Sequence, residues 1–172
     1  MKYSKRFNLR LVSAYAGLAL TLLAPREAFA QADHEKLTTA AWKCFKATDY
    51  TCAITNAQAC IEDWKEAAKD LQTKLEKAGK EVPTGKVSNE VKEAIFANGP
   101  LNDVATCYFI IGEANRPFVR TNVEKLKAAK AAYEEARKLT FGRCWDPNGW
   151  FWSPAETASQ RLRALPAVPT SK

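Results

Sequence analysis

The chain has 172 residues, 26 Lys/Arg against 19 Asp/Glu, a formal net charge of +7, five cysteines and a single histidine. With one histidine and no Cys-x-x-Cys pair, zinc ligation and thioredoxin-type chemistry lack their ligand spacing, so no metal is expected. The charges are interspersed rather than gathered in a basic stripe, which argues against a nucleic-acid partner, and no glycine-rich phosphate loop calls for a cofactor.

The N-terminus reads as an address. Lys2, Lys5, Arg6 and Arg10 precede an apolar run from Leu11 to Ala24, and Ala28-Phe29-Ala30 has the small-x-small form of a cleavage site. These are the three parts of a secretory signal peptide, expected to span residues 1–30. The apolar run is short for a membrane anchor of about 20 residues. Its removal would lower the net charge to about +3 and leave one domain over residues 31–165, with a flexible tail at 166–172. No later segment is apolar enough for a membrane span after cleavage. A periplasmic or secreted location follows, in which disulfides persist.

Helical periodicity organises the rest. Leu37, Ala41 and Cys44 form a stripe predicting a helix over about 33–47. Asp49 is an N-cap candidate for a long amphipathic helix over about 50–78, marked by Ala53, Ala57, Cys60, Trp64, Leu71 and Leu75. Residues 88–97 form a short helix, and 101–114 another. Thr121-x-x-Glu124 reads as a capping box before a helix reaching about Thr140. Ser153-Pro154-Ala155-Glu156 opens a last helix to about Leu165. No segment shows the alternation of a strand, so the expected fold class is all-α.

Helix geometry limits the cysteine pairings. Cys52 and Cys60 lie about 12 Å apart along one helix axis, too far for a bridge. Folding the chain at Thr48 brings Cys44 opposite Cys52, which predicts that pair. Cys60 faces Leu37 and Ala41 as a buried thiol. Cys107 and Cys144 would meet if the loop after the fifth helix folds back.

Two helical pairs can be superimposed. Leu37 and Ala41 precede Ala53, Ala57 and Cys60; Leu101 and Ala105 precede Ala129, Tyr133 and Ala136. Small residues at these positions let antiparallel helices approach closely. Together with the turn "DYTCAITNAQAC", this pattern resembles the tetratricopeptide-repeat (TPR) family over about 35–65 and 100–141. The second unit departs from it by roughly a dozen extra residues between its helices. The resemblance implies antiparallel hairpins in a TPR-like right-handed array with a C-terminal capping helix. It also implies a groove lined by the first helix of each pair: Thr38, Trp42, Phe45 and Lys46, then Asn102, Thr106, Phe109 and Ile110. Thr38 and Trp42 do not match the family's clamp for a terminal carboxylate.

The stretch "CWDPNGWFWSP" stands apart. Asp146-Pro147-Asn148-Gly149 is a turn signal presenting Trp145, Trp150, Phe151 and Trp152. A helical array needs its apolar ends covered, and these aromatics could supply that cover. Exposed, they would instead form a platform for a peptide or an envelope glycan such as peptidoglycan. Asp146 with Glu156 would be the acid pair of a glycosidase, a pattern any two acids ten residues apart would give. A Ser–His or Cys–His nucleophile would have to recruit His34 from a loose end. The expectation is an exported, non-enzymatic protein-interaction or scaffold module of the cell envelope, with a protein or peptide partner. Self-association could complete so short an array. The alternative is a carbohydrate- or peptidoglycan-binding, or glycan-cleaving, envelope protein that uses the loop at 144–154.

Overall fold

The computed structural model describes residues 26–167. Six helices account for most of it: α1 (Arg26–Lys46), α2 (Tyr50–Lys77), α3 (Asn89–Phe96), α4 (Gly99–Asn115), α5 (Val123–Ala136) and α6 (Pro154–Ala164). The all-α expectation is met except at one place. Cys144–Asp146 (β1) and Trp150–Trp152 (β2) pair antiparallel as a small hairpin. The signal-peptide reading of residues 1–25 lies outside the described residues, as does 168–172 of the expected tail. Helix α1 begins at Arg26, ahead of the expected start near Asp33 and of the cleavage site expected at Ala30.

The caps explain most helix starts. Asp49 accepts a hydrogen bond from Cys52 N at 3.0 Å, as its position predicts. Ser88 and Ser153 cap α3 and α6 in the same way. The capping box expected at Thr121 is not formed. Asn122 caps α5 by accepting from Lys125 N, while Thr121 Oγ1 donates back to Phe118 O. A 3-10 turn at Arg116–Phe118 makes the difference, because it carries the chain one residue further before α5 starts.

Helices α1 and α2 form one antiparallel hairpin and α4 and α5 a second. Helix α4 packs on α1 and α2 on one side and on α5 and α6 on the other. Ala41, Ala53, Ala57, Cys60, Leu101, Val104, Ala105 and Ile110 build the larger core between the hairpins. Phe109, Tyr133, Ala129, Ala136 and Ala158 build the smaller one beneath α6. Cys44 and Cys52 are joined as expected, with Cα atoms 5.7 Å apart. The bond brackets the α1–α2 turn, where Thr48 takes a φ of 59°, unusual for a β-branched residue.

The second hairpin is locked by close approach and by one buried acid. A Cβ on Gly112 would come within 2.3 Å of the Tyr133 ring, so α4 and α5 meet at a distance only glycine permits. Glu113, almost fully buried, accepts from Tyr133 Oη at 2.6 Å and Arg161 Nε at 2.7 Å, and from Arg116 Nη2 at 3.2 Å. Three donors offset the cost of burying a carboxylate and tie α4, α5 and α6 together. Burial and the adjacent Glu113 push the Tyr133 phenol well above its usual range.

Replacing Gly112 with Ala forces the Tyr133 ring to move. A loss of about 1–3 kcal/mol is expected, measured as a lower urea midpoint with an unchanged m-value. An unchanged midpoint would show that the α4–α5 spacing is adjustable.

Candidate functional site

The β-hairpin is held in place by polar groups, of which the sequence had marked Asn102 for a groove and Asp146 for the turn but not Arg143 or Gln72. Asn102, on α4, donates to Ile95 O at 2.7 Å and accepts from Arg143 N at 2.8 Å. The Arg143 guanidinium is buried and donates to the carbonyls of Thr140, Gly142, Val82 and Pro83. It thereby straps the long loop after α2 against the start of β1, and its pKa falls because of desolvation. Gly85 of that loop pairs with Phe151 through two backbone hydrogen bonds. Gln72 reaches from α2 to Thr140 Oγ1 and Phe141 N. The turn itself is set by Asp146, whose Oδ1 accepts from Asn148 N, and by Gly149 at a φ of 94°.

This placement divides the aromatics of the hairpin. Phe151 is fully buried, stacked edge-on against Phe96 at 5.4 Å and Trp145 at 4.8 Å. Trp152 is half-buried against Phe109 at 5.1 Å. Trp145 is half-buried beneath the Lys92 ammonium, 4.3 Å from its ring centroid. Trp150 is exposed. The hairpin thus buries Phe151 and packs Trp152 on the smaller core while leaving Trp150 open. The open side of α5 is covered by α6, through Ala155 and Ala158, small enough to sit close. The hairpin lies instead beside α1 and α4.

An open cleft of about 520 Å³ results. Thr39, Trp42 and Lys46, one helical face of α1, form one wall. Trp145, Asp146, Pro147 and Trp150 form the other, with Phe109, Cys144 and Trp152 between them. A second chamber of about 490 Å³ shares Thr39, Trp42, Cys144 and Trp145 and continues inward to His34, Asp103 and Thr106. Trp42, Lys46 and Phe109, expected in a groove, and Trp145, Trp150 and Trp152, expected in a loop, thus line one space. A separate depression of about 460 Å³ at the Thr48–Tyr50 turn is open, with the Tyr50 and Phe118 rings 5.7 Å apart.

The other expected groove residues fall elsewhere. Phe45 does not line the cleft; it packs between Trp42 and Tyr50. Ile110 is fully buried in the inter-hairpin core because that side of α4 faces the first hairpin. Asn102 and Thr106 line the inner chamber, but both are engaged: Asn102 as above, and Thr106 Oγ1 with Asn102 O at 2.7 Å. Thr38 is buried and donates to His34 O. Cys107 does not meet Cys144. Its thiol points into the core toward Thr38, whereas Cys144 lies on the cleft.

His34 is not at a loose end. Its ring is buried, Nδ1 is hydrogen-bonded to Asp103, and its edge meets Trp64 at 5.3 Å. Nε2 has no partner among the described residues. The signal was present: His34, Thr38 and Ala41 share one helical stripe. Among the described residues no nucleophile is hydrogen-bonded to the ring; Cys60 Sγ approaches the His34 backbone carbonyl. Burial pushes the Cys144 thiol up to about 12, so at neutral pH it lacks the thiolate a nucleophile needs. Asp146 is engaged in the turn and Glu156 is exposed at the start of α6, where Ser153 caps the helix.

Comparison with known proteins finds no matching family model, curated protein or solved structure. Among the described residues no helix is long and apolar enough to cross a membrane.

Two outcomes follow from this geometry. Acrylamide quenching of tryptophan fluorescence should fall in Trp150→Phe and change little in Trp152→Phe. Equal effects would mean the hairpin is displaced in solution. Alkylation of Cys144 in the folded protein should be slow at pH 8 and rise about tenfold per pH unit up to pH 10, as expected below a raised thiol pKa. A rate that levels off near pH 9 would show an unburied thiol.

Proposed function

We propose that the protein is a non-enzymatic interaction module whose aromatic cleft holds an extended segment of a partner protein. The observation that carries this reading is the convergence of Trp42 and Phe109 from two helices with Trp145, Trp150 and Trp152 from the hairpin around one open space. Tryptophan and tyrosine anchors of this kind dominate binding energy where they line pockets. Lys46 and Asp146 at the walls supply charges of both signs for a peptide backbone or its side chains.

The TPR-like reading is supported by how the helices meet. The first helix of each pair, α1 and α4, contributes to the cleft, α2 packs on α4, and α6 follows as the cap. Export is supported by the Cys44–Cys52 bond, which an oxidising compartment preserves.

A glycan ligand fits less well. Sugars need free ring faces and polar groups to read hydroxyls. Here Phe109 and Trp152 meet edge-on, as do Trp145 and Phe151. The amide of Asn102 and the guanidinium of Arg143 are engaged in holding the fold. Exposed Trp150 is the ring best placed to take a sugar.

A photo-crosslinking phenylalanine analogue at position 150, introduced in the producing cell, tests the assignment. The expected result is a covalent adduct with a polypeptide, lost when Trp42→Ala is added. An adduct with peptidoglycan fragments in its place would transfer the cleft to the carbohydrate reading.

A further inference from the structure

Three cysteines lie outside the Cys44–Cys52 bond, and two of them face each other across the core. Cys60 belongs to α2 and Cys107 to α4, and both are fully buried. Thr38 Oγ1, from α1, lies 3.6 Å from Cys60 Sγ and 3.3 Å from Cys107 Sγ. Contact of both sulfurs with this one oxygen keeps them within 6.9 Å of each other, the sum of 3.6 and 3.3 Å. They sit in the α2–α4 interface, the most extensive in the fold, among alanines that let the two helices approach closely.

We propose that Cys60 and Cys107 form a second disulfide when the chain folds under oxidising conditions, joining the two helical hairpins through the core and leaving Cys144 as the single free thiol. This rests on the export reading for its place in the cell, and on geometry alone for its pairing. It accounts for the odd cysteine: the one left over is the one on the cleft.

A disulfide oxidant such as oxidised glutathione completes the chemistry. One cysteine thiolate attacks the oxidant's disulfide and releases a glutathione thiolate. The second cysteine thiolate then attacks the mixed disulfide and releases the other. The protein thiols give up two electrons and two protons, and the oxidant becomes two thiols. In the closed fold, burial pushes the Cys107 thiol up, and neither sulfur is reached by solvent. The exchange therefore belongs to the stage at which the hairpins dock. Thr38, which touches both sulfurs, also lines the inner chamber, so the bond bears on the wall of that chamber.

The test is to refold the reduced, denatured full chain in a glutathione redox buffer, denature it again, alkylate it with iodoacetamide and map the unreduced peptides. The expected result is a linked Cys60–Cys107 peptide pair and alkylation of Cys144 alone. Alkylation of all three cysteines, or a Cys60–Cys144 or Cys107–Cys144 pair, overturns the proposal. Cys144→Ser should abolish alkylation and keep the linked pair, and a free thiol remaining in that variant overturns it as well. Cell fractionation tests export separately. A correct pairing in a chain retained in the cytoplasm would remove the export reading and leave the pairing standing.

Discussion

Helix α4 is enclosed by the rest of the protein, and the structure follows from that constraint. Thirteen of its seventeen residues are buried. A helix covered on opposite sides cannot rely on one apolar stripe. It needs small residues where neighbours come closest, which Ala105 provides toward Gly142 beyond α5 and Gly112 toward Tyr133 of α5. It also needs a partner for every polar side chain it carries inward. Asn102 is satisfied by Ile95 and Arg143, Asp103 by His34, Thr106 by its own helix, and Glu113 by α5, α6 and Arg116. Apart from that of Thr106, each partnership ties another element to α4. Polar burial thus gives the helices their register, while the alanines around it give them their spacing.

The cleft is a consequence of the same arrangement. Asn102 determines where the chain passes after α5, because it holds Arg143 N, and Arg143 in turn gathers four carbonyls from two loops. A buried guanidinium satisfied by carbonyls alone is a costly device. It is matched here to a region with no helix or sheet ladder to absorb those acceptors. Once the strap is fixed, Phe151 seats under Phe96 and Trp145, and the hairpin stands away from α1 with Trp42 facing it. The width of the opening is therefore governed by the fit of α1 on α4, where Ala41 and Ala105 are both buried.

The helices were legible in the sequence because their apolar spacing repeats over several turns. The Cys44–Cys52 bond was legible because it depends only on a local hairpin. Other features were hidden for physical reasons. Strands of three residues carry too little alternation to register, although the Asp146–Gly149 turn between them was plain. The direction of Cys107 could not be read, since a helix buried on opposite sides gives no apolar phase to orient it; the same ambiguity put Ile110 in the groove instead of the core. His34 looked peripheral by position in the chain, yet α1 extends past it and Asp103 draws it inward. In the candidate site, the side chains from α1, Trp42 and Lys46, were expected from the groove that the TPR resemblance implies. The pairing of that face with the Trp-rich hairpin was not, because it is decided by Arg143 and Asn102 at long range.

The distribution of polar groups also bears on what kind of ligand the cleft can distinguish. Asp146 borders the cleft and Asn102, Thr106 and Arg143 border the inner chamber behind it, and all are already bonded within the protein. A ligand that required their hydrogen bonds would have to break bonds that hold the hairpin in place. Polar discrimination in a pocket works by leaving a wrong ligand's partners unsatisfied, and such groups, being satisfied beforehand, impose no such penalty. Selectivity then falls to shape and to the apolar surfaces of Trp42, Phe109, Trp150 and Trp152, with Lys46 setting a charge at one wall. Recognition of that kind suits side chains of a polypeptide, where apolar bulk is presented at regular intervals along a backbone that can satisfy its own polar groups in solvent. It is a poorer match to a glycan, whose hydroxyls surround every apolar face.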